Sequence, residues 1–296
     1  MLEFDSVTKA YGTKQVLDEL TFAVQPGQMF GFCGANGAGK TTTMPIALGL
    51  VRADRGEVRW QGRPVDLQVR RRFGYLPEER GLYPRMRPAE QLTFFGMLHG
   101  MSRSAAKSAG EELLEALGVT QGEGDALEKL SLGNQQKVQL AAALVHNPEV
   151  LVLDEPFSGL DPVGVDALAA ALSQRRRAGV PVIFSSHQLD LVERLCDSVG
   201  IINHGRMVAT GTVRELRDRE GSHQLRVIAP DAVPGWAAAL PGVTVLSERD
   251  GEVLLDLVDP ARDQEVLAAA QRTGRVQHFS WRAPTLTELF REAVAA

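Results

Sequence analysis

Gly34-Ala35-Asn36-Gly37-Ala38-Gly39-Lys40-Thr41 is the stretch whose reading decides the fold. It fits G-x-x-x-x-G-K-[ST] with the flanks that pattern requires: the apolar run Met29 to Cys33 reads as a strand before it, and the residues after Lys40 read as a helix. Glycines let backbone amides converge on phosphate oxygens without Cβ clashes, and the following helix brings roughly half a positive charge to its N-terminus. The stretch therefore reads as a phosphate-binding P-loop, lined by Gly34, Asn36, Gly37, Ala38, Gly39 and Thr42. Lys40 is expected to reach the β- and γ-phosphates and Thr41 to ligate Mg2+. Pro45 stands beyond the first turn of the helix, where proline removes a backbone hydrogen bond at a cost of about 3 kcal/mol. The sequence offers no functional account of it.

Moving outward, Leu2 to Val7 and Val16 to Val24 read as strands around a turn at Gly12. Val150 to Leu153 and Val182 to Phe184 are short, continuous apolar runs, as expected of strands buried on both faces. With helical stretches between them, this part reads as α/β with a largely parallel sheet. Residues from about Pro88 to Lys129 are helix-prone without strand signal, giving an inserted helical subdomain at about 80–135. Val199 to Ile202 and Arg206 to Ala209 flank Asn203-His204-Gly205, a hairpin. Composition changes at Glu220-Gly221-Ser222, which divides the chain into 1–220 and 221–296. The tail reads as strand Gln224 to Ile228, short helix near Trp236 to Leu240, strands Val243 to Leu246 and Val253 to Val258, helix Arg262 to Gln271, strand Val276 to Trp281 and a last helix. That β-α-β-β-α-β order is ferredoxin-like, a small α+β domain.

With 296 residues and 44% hydrophobic content, the chain has enough apolar material for two cores. A net charge of -5 gives no reason to expect nucleic acid as a partner. The basic runs Arg70 to Arg72 and Arg175 to Arg177 read as solvated faces. Cys33 and Cys196 have no metal-ligand spacing and read as reduced core thiols of a cytosolic protein. The start, Met1 to Asp5, lacks signal-peptide features, and no apolar run approaches the ~20 residues a bilayer span needs. At a membrane, another chain would do the spanning.

Leu151-Val152-Leu153-Asp154-Glu155 places two carboxylates at the end of a buried strand, where side chains emerge beside a P-loop. Asp154 suits Mg2+ and Glu155 suits a water that attacks the γ-phosphate, a pairing that points to hydrolysis. Leu130-Ser131-Leu132-Gly133-Asn134-Gln135-Gln136-Lys137 opens a helix with Ser131 as its N-cap.

The P-loop, Leu130 to Asn134, Leu153-Asp154-Glu155-Pro156, Ser158-Gly159-Leu160-Asp161 and Ser185-Ser186-His187 occur in the order seen in nucleotide-binding subunits of ATP-binding cassette (ABC) transporters. The resemblance covers roughly 1–220. The family signature is Leu-Ser-Gly-Gly-Gln, so the chain departs from it at Leu132 and Asn134. What the resemblance implies is a P-loop ATPase that binds ATP and Mg2+ and hydrolyses ATP, with Glu155, His187 and Lys40 as catalytic residues. Tyr11 would stack on adenine, His187 would contact the γ-phosphate, and Ser131, Gly133 and Asp161 would serve nucleotide across a head-to-tail dimer. Glu78 stands where the family usually has a metal-touching Gln, and would join Thr41 and Asp154 at the metal. His99, His146, His204, His223 and His278 read as structural. Pro77 to Tyr83, Gly133 to Gln136 and Ala283 to Phe290 resemble the drug, antibiotic and sodium export branch. The resemblance thus implies a peripheral subunit on the cytoplasmic face, partnered by a separate transmembrane permease. The rival reading is a soluble cassette ATPase acting on a macromolecular complex; such relatives carry paired cassettes or coiled-coil insertions, which are not visible in this sequence.

Overall fold

The computed structural model describes residues 1–79, 81–119, 125–219 and 223–295. The composition break at Glu220-Gly221-Ser222, and part of the helical insertion, lie outside them. The chain forms two compact units, Met1–Val213 joined by the chain end from Ala293, and Arg214–Glu292.

The first unit runs β1 (Leu2–Tyr11), β2 (Lys14–Val24), β3 (Met29–Gly34), α1 (Lys40–Ala47), β4 (Arg55–Trp60), β5 (Arg63–Pro64), α2 (Leu67–Arg70), β6 (Phe73–Leu76), α3 (Pro88–Leu98), α4 (Arg103–Ala116), α5 (Leu132–Leu144), β7 (Val150–Leu153), α6 (Pro162–Arg177), β8 (Val182–Ser186), α7 (Leu189–Leu195), β9 (Ser198–Asn203) and β10 (Arg206–Gly211). Two sheets result. One is antiparallel with order β2-β1-β4-β5, and the other has order β10-β9-β3-β8-β7-β6, parallel except for the β9–β10 pair. Every residue of β3, β7 and β8 is buried, which is why the runs Met29 to Cys33, Val150 to Leu153 and Val182 to Phe184 read as buried strands, with two buried serines closing β8.

Aromatic side chains bind the two sheets together. Phe22 of β2 stacks on Phe4 of β1 with centroids 4.2 Å apart, and on Phe30 and Phe32 of β3 at 5.2 and 5.4 Å. Met44 and Ile46 of α1, with Val150, Val152, Ile183 and Ile202, complete this core. Burying each such side chain is worth about 1.5–3 kcal/mol. The β9–β10 hairpin forms with a two-residue turn, His204 (φ 47°) and Gly205 (φ 79°), whose paired positive dihedrals match a type I′ turn. Cys33 and Cys196 are both unpaired, and burial pushes the Cys33 thiol up to about 12.

The second unit contains α8 (Val213–Arg219), which starts one residue before it, then β11 (Gln224–Ile228), β12 (Val243–Arg249), β13 (Glu252–Leu257), α9 (Asp263–Thr273), β14 (His278–Arg282) and α10 (Leu286–Ala295), which runs past its end. Its sheet, β12-β13-β11-β14, is antiparallel throughout. Alternate residues Leu225, Val227, Val253, Leu255 and Leu257 face Val266 and Ala270 of α9 in one core. Strand order and direction are ferredoxin-like, with one correction. The helix expected near Trp236 to Leu240 is a run of turns, with amides of Trp236, Ala238 and Leu240 bonded three residues back at 3.1–3.2 Å. Pro234-Gly235, with Gly235 at φ 76°, and Pro241-Gly242 bracket too few residues to nucleate a helix. Trp236 and Leu240 still pack on the core.

Candidate functional site

The P-loop leaves β3 at its C-terminal end. Gly39, the last residue before α1, has φ 117°, and a Cβ there would lie 2.6 Å from Leu17 Cδ2 and 3.0 Å from the Val16 carbonyl. Only glycine fits that approach. Lys40 is buried and its ammonium donates to the carbonyls of Gly34 (2.6 Å) and Ala35 (3.2 Å). Lys40, Thr41 and Thr42, at the N-terminus of α1, line a cleft of about 370 Å³ with Lys14, Val16, Asn36, Gly37, Gly39, Glu78, Asp154 and Glu155. Amides, the Lys14 and Lys40 side chains and hydroxyls share this cleft with three carboxylates, an arrangement suited to a phosphate chain that carries a hard cation. Thr41, Glu78 and Asp154 offer only oxygen. That donor set fits Mg2+, which takes one or two carboxylates and completes its sphere with water and phosphate. Among the described residues no cluster of three or more His, Cys, Asp or Glu forms a metal cage by itself.

The two acids at the end of β7 differ sharply. Asp154 is almost fully buried, accepts a hydrogen bond from the Ser185 hydroxyl, and donates its amide to the Leu76 carbonyl at 2.7 Å. Burial raises its carboxyl above the usual range, and the nearby Glu78 charge adds to this against the Ser185 bond and Lys40. Glu155 turns into the left-handed region at φ 47°, and its amide donates to Ser185 Oγ at 2.9 Å. His187 Nδ1 lies 2.9 Å from Glu155 Oε2. Burial raises the Glu155 carboxyl as well, while His187 and Lys40 pull it back.

The remaining expected site residues do not line the cleft. Gly34 and Ala38 back the loop, with the Ala38 carbonyl accepting the Gly205 amide at 2.9 Å. Tyr11 is 52% exposed under the Lys9 ammonium, 5.4 Å from its ring centre. Ser131 caps α5 by accepting the Asn134 amide at 3.3 Å, and Asp161 caps α6 by accepting the Gly164 amide at 2.7 Å. These two helix starts are neighbours: a Cβ on Gly133 would sit 3.6 Å from the Gly159 carbonyl and from Leu160.

Residues 17–158 match the family described as ABC transporter, and residues 211–294 match the family described as ATP-binding protein DrrA1-3-like, C-terminal domain. The uncharacterized ABC transporter ATP-binding protein YhaQ of Bacillus subtilis is 40% identical over 297 residues, covering 100% of this chain and 99% of that one. The chain belongs to the ABC transporter ATP-binding proteins. This cassette ATPase is also 36% identical over 236 residues to the Nod factor export ATP-binding protein I of Paraburkholderia xenovorans, covering 78% of each. A solved structure titled as the ATP binding subunit of an ABC transporter superposes with a TM-score of 0.70 at 32% identity, covering 75% of this chain and 93% of that one. The cassette ATPase thus binds and hydrolyses ATP.

Three residues of the cassette site were not singled out by the sequence. Lys14 and Val16 line the cleft from the start of β2. Ser185 was visible only as part of Ser185-Ser186-His187, a segment in which the histidine drew attention. Its contacts with Asp154 and Glu155 come from the β7–β8 neighbourhood, which spacing along the chain does not reveal.

Proposed function

We propose that the chain is the cytoplasmic motor of a membrane exporter, working as a head-to-tail pair that closes on ATP and reopens after hydrolysis. The observation that carries this reading is the division of the phosphate-binding residues into two groups. Lys40, Thr41, Glu78, Asp154 and Glu155 line one cleft, whereas Ser131 and Gly133, with a capped helix start suited to phosphate, stand outside it. A second copy turned about a twofold axis would bring its Ser131, Gly133 and Asp161 to the open side of the first copy's cleft. Within each cleft Mg2+ would be held by Thr41, Asp154 and Glu78, and would screen phosphate charge when bound. Glu155 orients and polarises water, His187 steadies Glu155 and meets the γ-phosphate, and Tyr11 stacks on adenine.

The permease partner is supported by a second feature. An apolar groove beside the cleft is lined by Leu48, Leu50, Phe73, Leu82 and Phe95, with Pro77 and Gly81 on either side of Glu78. Gln139 of α5 donates to the carbonyls of Pro77 (2.8 Å) and Glu79 (3.4 Å), so α5 is tied to the segment that carries Glu78. Its Oε1 is buried without a partner. A cytoplasmic segment of the permease, apolar and bearing a hydrogen-bond donor, fits the groove and would feel movement of Glu78. Among the described residues no helix is long and apolar enough to cross a membrane. Export is the direction printed in the name of the Nod factor relative.

Gel filtration of Glu155→Gln with Mg-ATP tests the pair: a nucleotide-dependent dimer should accumulate, and adding Ser131→Arg should abolish it. A monomer under both conditions would sink the shared-site reading. Affinity capture from detergent-solubilised membranes with mass spectrometry should recover a multispan protein.

A further inference from the structure

We infer that Ser185 is a positioning residue for hydrolysis, fixing Asp154 and Glu155 as one unit. The inference rests on the reading that Asp154 holds the cation and Glu155 orients water. Backbone pairing between β7 and β8 ends at Leu153 and Phe184. One residue further on, the Ser185 side chain takes over. Its hydroxyl proton goes to Asp154 Oδ1 and its oxygen accepts the Glu155 amide at 2.9 Å, so donor and acceptor are both used across the same two residues. The side chain is fully buried.

Both acids need such a hold. Asp154 is buried, and engaging one carboxylate oxygen fixes the plane in which the other is offered to the cleft. Glu155 sits at φ 47°, a conformation that costs a non-glycine residue about 1–3 kcal/mol and persists only when its surroundings impose it. The end of β8 grips that residue twice. Ser185 holds the amide and His187, two residues on, holds the carboxylate at 2.9 Å. With alanine at 185, the Glu155 amide and Asp154 Oδ1 lose their partner together. The backbone of Glu155 is then free to relax toward a commoner conformation, which swings its carboxylate away from the water it must orient.

The experiment is a double-mutant cycle read by single-turnover hydrolysis, with melting temperature and affinity for a fluorescent ATP analogue as controls. Ser185→Ala should lower the hydrolysis rate roughly ten- to hundredfold, the penalty of a misplacement near 1 Å. It should also raise the Mg2+ concentration for half-maximal rate, while nucleotide affinity without Mg2+ stays within about twofold. In a Glu155→Gln background, at saturating Mg2+, the same change should cost less than about twofold, because the carboxylate that Ser185 orients toward water is already gone. Ser185→Cys keeps the volume and a weak donor, should fall between serine and alanine, and carries the cycle if the alanine variant does not fold. Full additivity, or a wild-type rate in Ser185→Ala at wild-type Mg2+ demand, overturns the inference. Near-normal turnover in Glu155→Gln alone overturns the underlying assignment instead.

Discussion

His146 shows what a single side chain costs when burial denies it a charge. Its ring lies 3.6 Å from that of His99 in a stacked pair, Nε2 donates to the Phe73 carbonyl at 3.1 Å, and Nδ1 is buried without a partner. Burial first, and the His99 ring second, push its pKa down to about 4. Between that value and the 6.5 of an exposed histidine, the unfolded chain holds a proton that the folded chain refuses. Stability therefore rises with pH across this window and is lost as pH falls from 6.5 toward 4. Allowing for partial exposure, the loss should be about 1–2 kcal/mol. Thermal melts at pH 7 and pH 5 should show a smaller drop in His146→Gln than in the parent. Equal drops would mean that His146 titrates normally.

At the scale of an element, α1 is short for a reason. Pro45 has no amide to give the Thr41 carbonyl, the helix ends at Ala47, and the chain turns with Leu50 and Val51 donating to the Pro45 carbonyl at 2.9 and 3.3 Å. Pro45→Ala should extend the hydrogen bonding and raise stability by about 1 kcal/mol, less than the full interior penalty because the turn has already relaxed and proline also restrains the unfolded chain. Calorimetry should show a higher melting temperature; a lower one would mean that the proline is needed to end the helix. Elements differed in how openly the sequence displayed them. β3, β7 and the first three residues of β8 were plain because both faces are buried, so no charged residue interrupts them. β4, Arg55–Trp60, was not, since charged residues alternate along a strand with one half-open face, and in β6 Gly74 and the half-buried Tyr75 interrupt the apolar run. The site divides the same way. Cleft residues on the P-loop and the Asp-Glu strand declare themselves by spacing, whereas Lys14 and Ser185 gain their places only when distant strands pair. Leu132, apolar at the start of α5 yet 60% exposed, departs from the family signature without a structural account.

For the whole molecule, the division into units makes a testable claim. The described cleft residues run from Lys14 to Glu155, with His187 behind them, so the nucleotide site belongs entirely to the first unit. Ending the chain at Val213 should leave ATP affinity within about twofold, as independent sites allow. Melting temperature should drop modestly, since the chain end from Ala293 groups with that unit and the Val294 carbonyl accepts from Asn203 at 3.4 Å. Loss of ATP binding by a folded truncation would tie the second unit to catalysis. The central sheet also sets a timetable for biosynthesis. β3 pairs with β8 and β9, and the loop that follows it is braced by the Gly205 amide on the Ala38 carbonyl. A ribosome adding about 5–20 residues per second reaches residue 205 roughly ten to thirty seconds after residue 38. Until β8 and then β9 emerge late in that interval, β3 has neither hydrogen-bonding neighbour and Phe30 and Phe32 can rest only on Phe22, so the nascent chain carries an open apolar strand before any nucleotide can stabilise it.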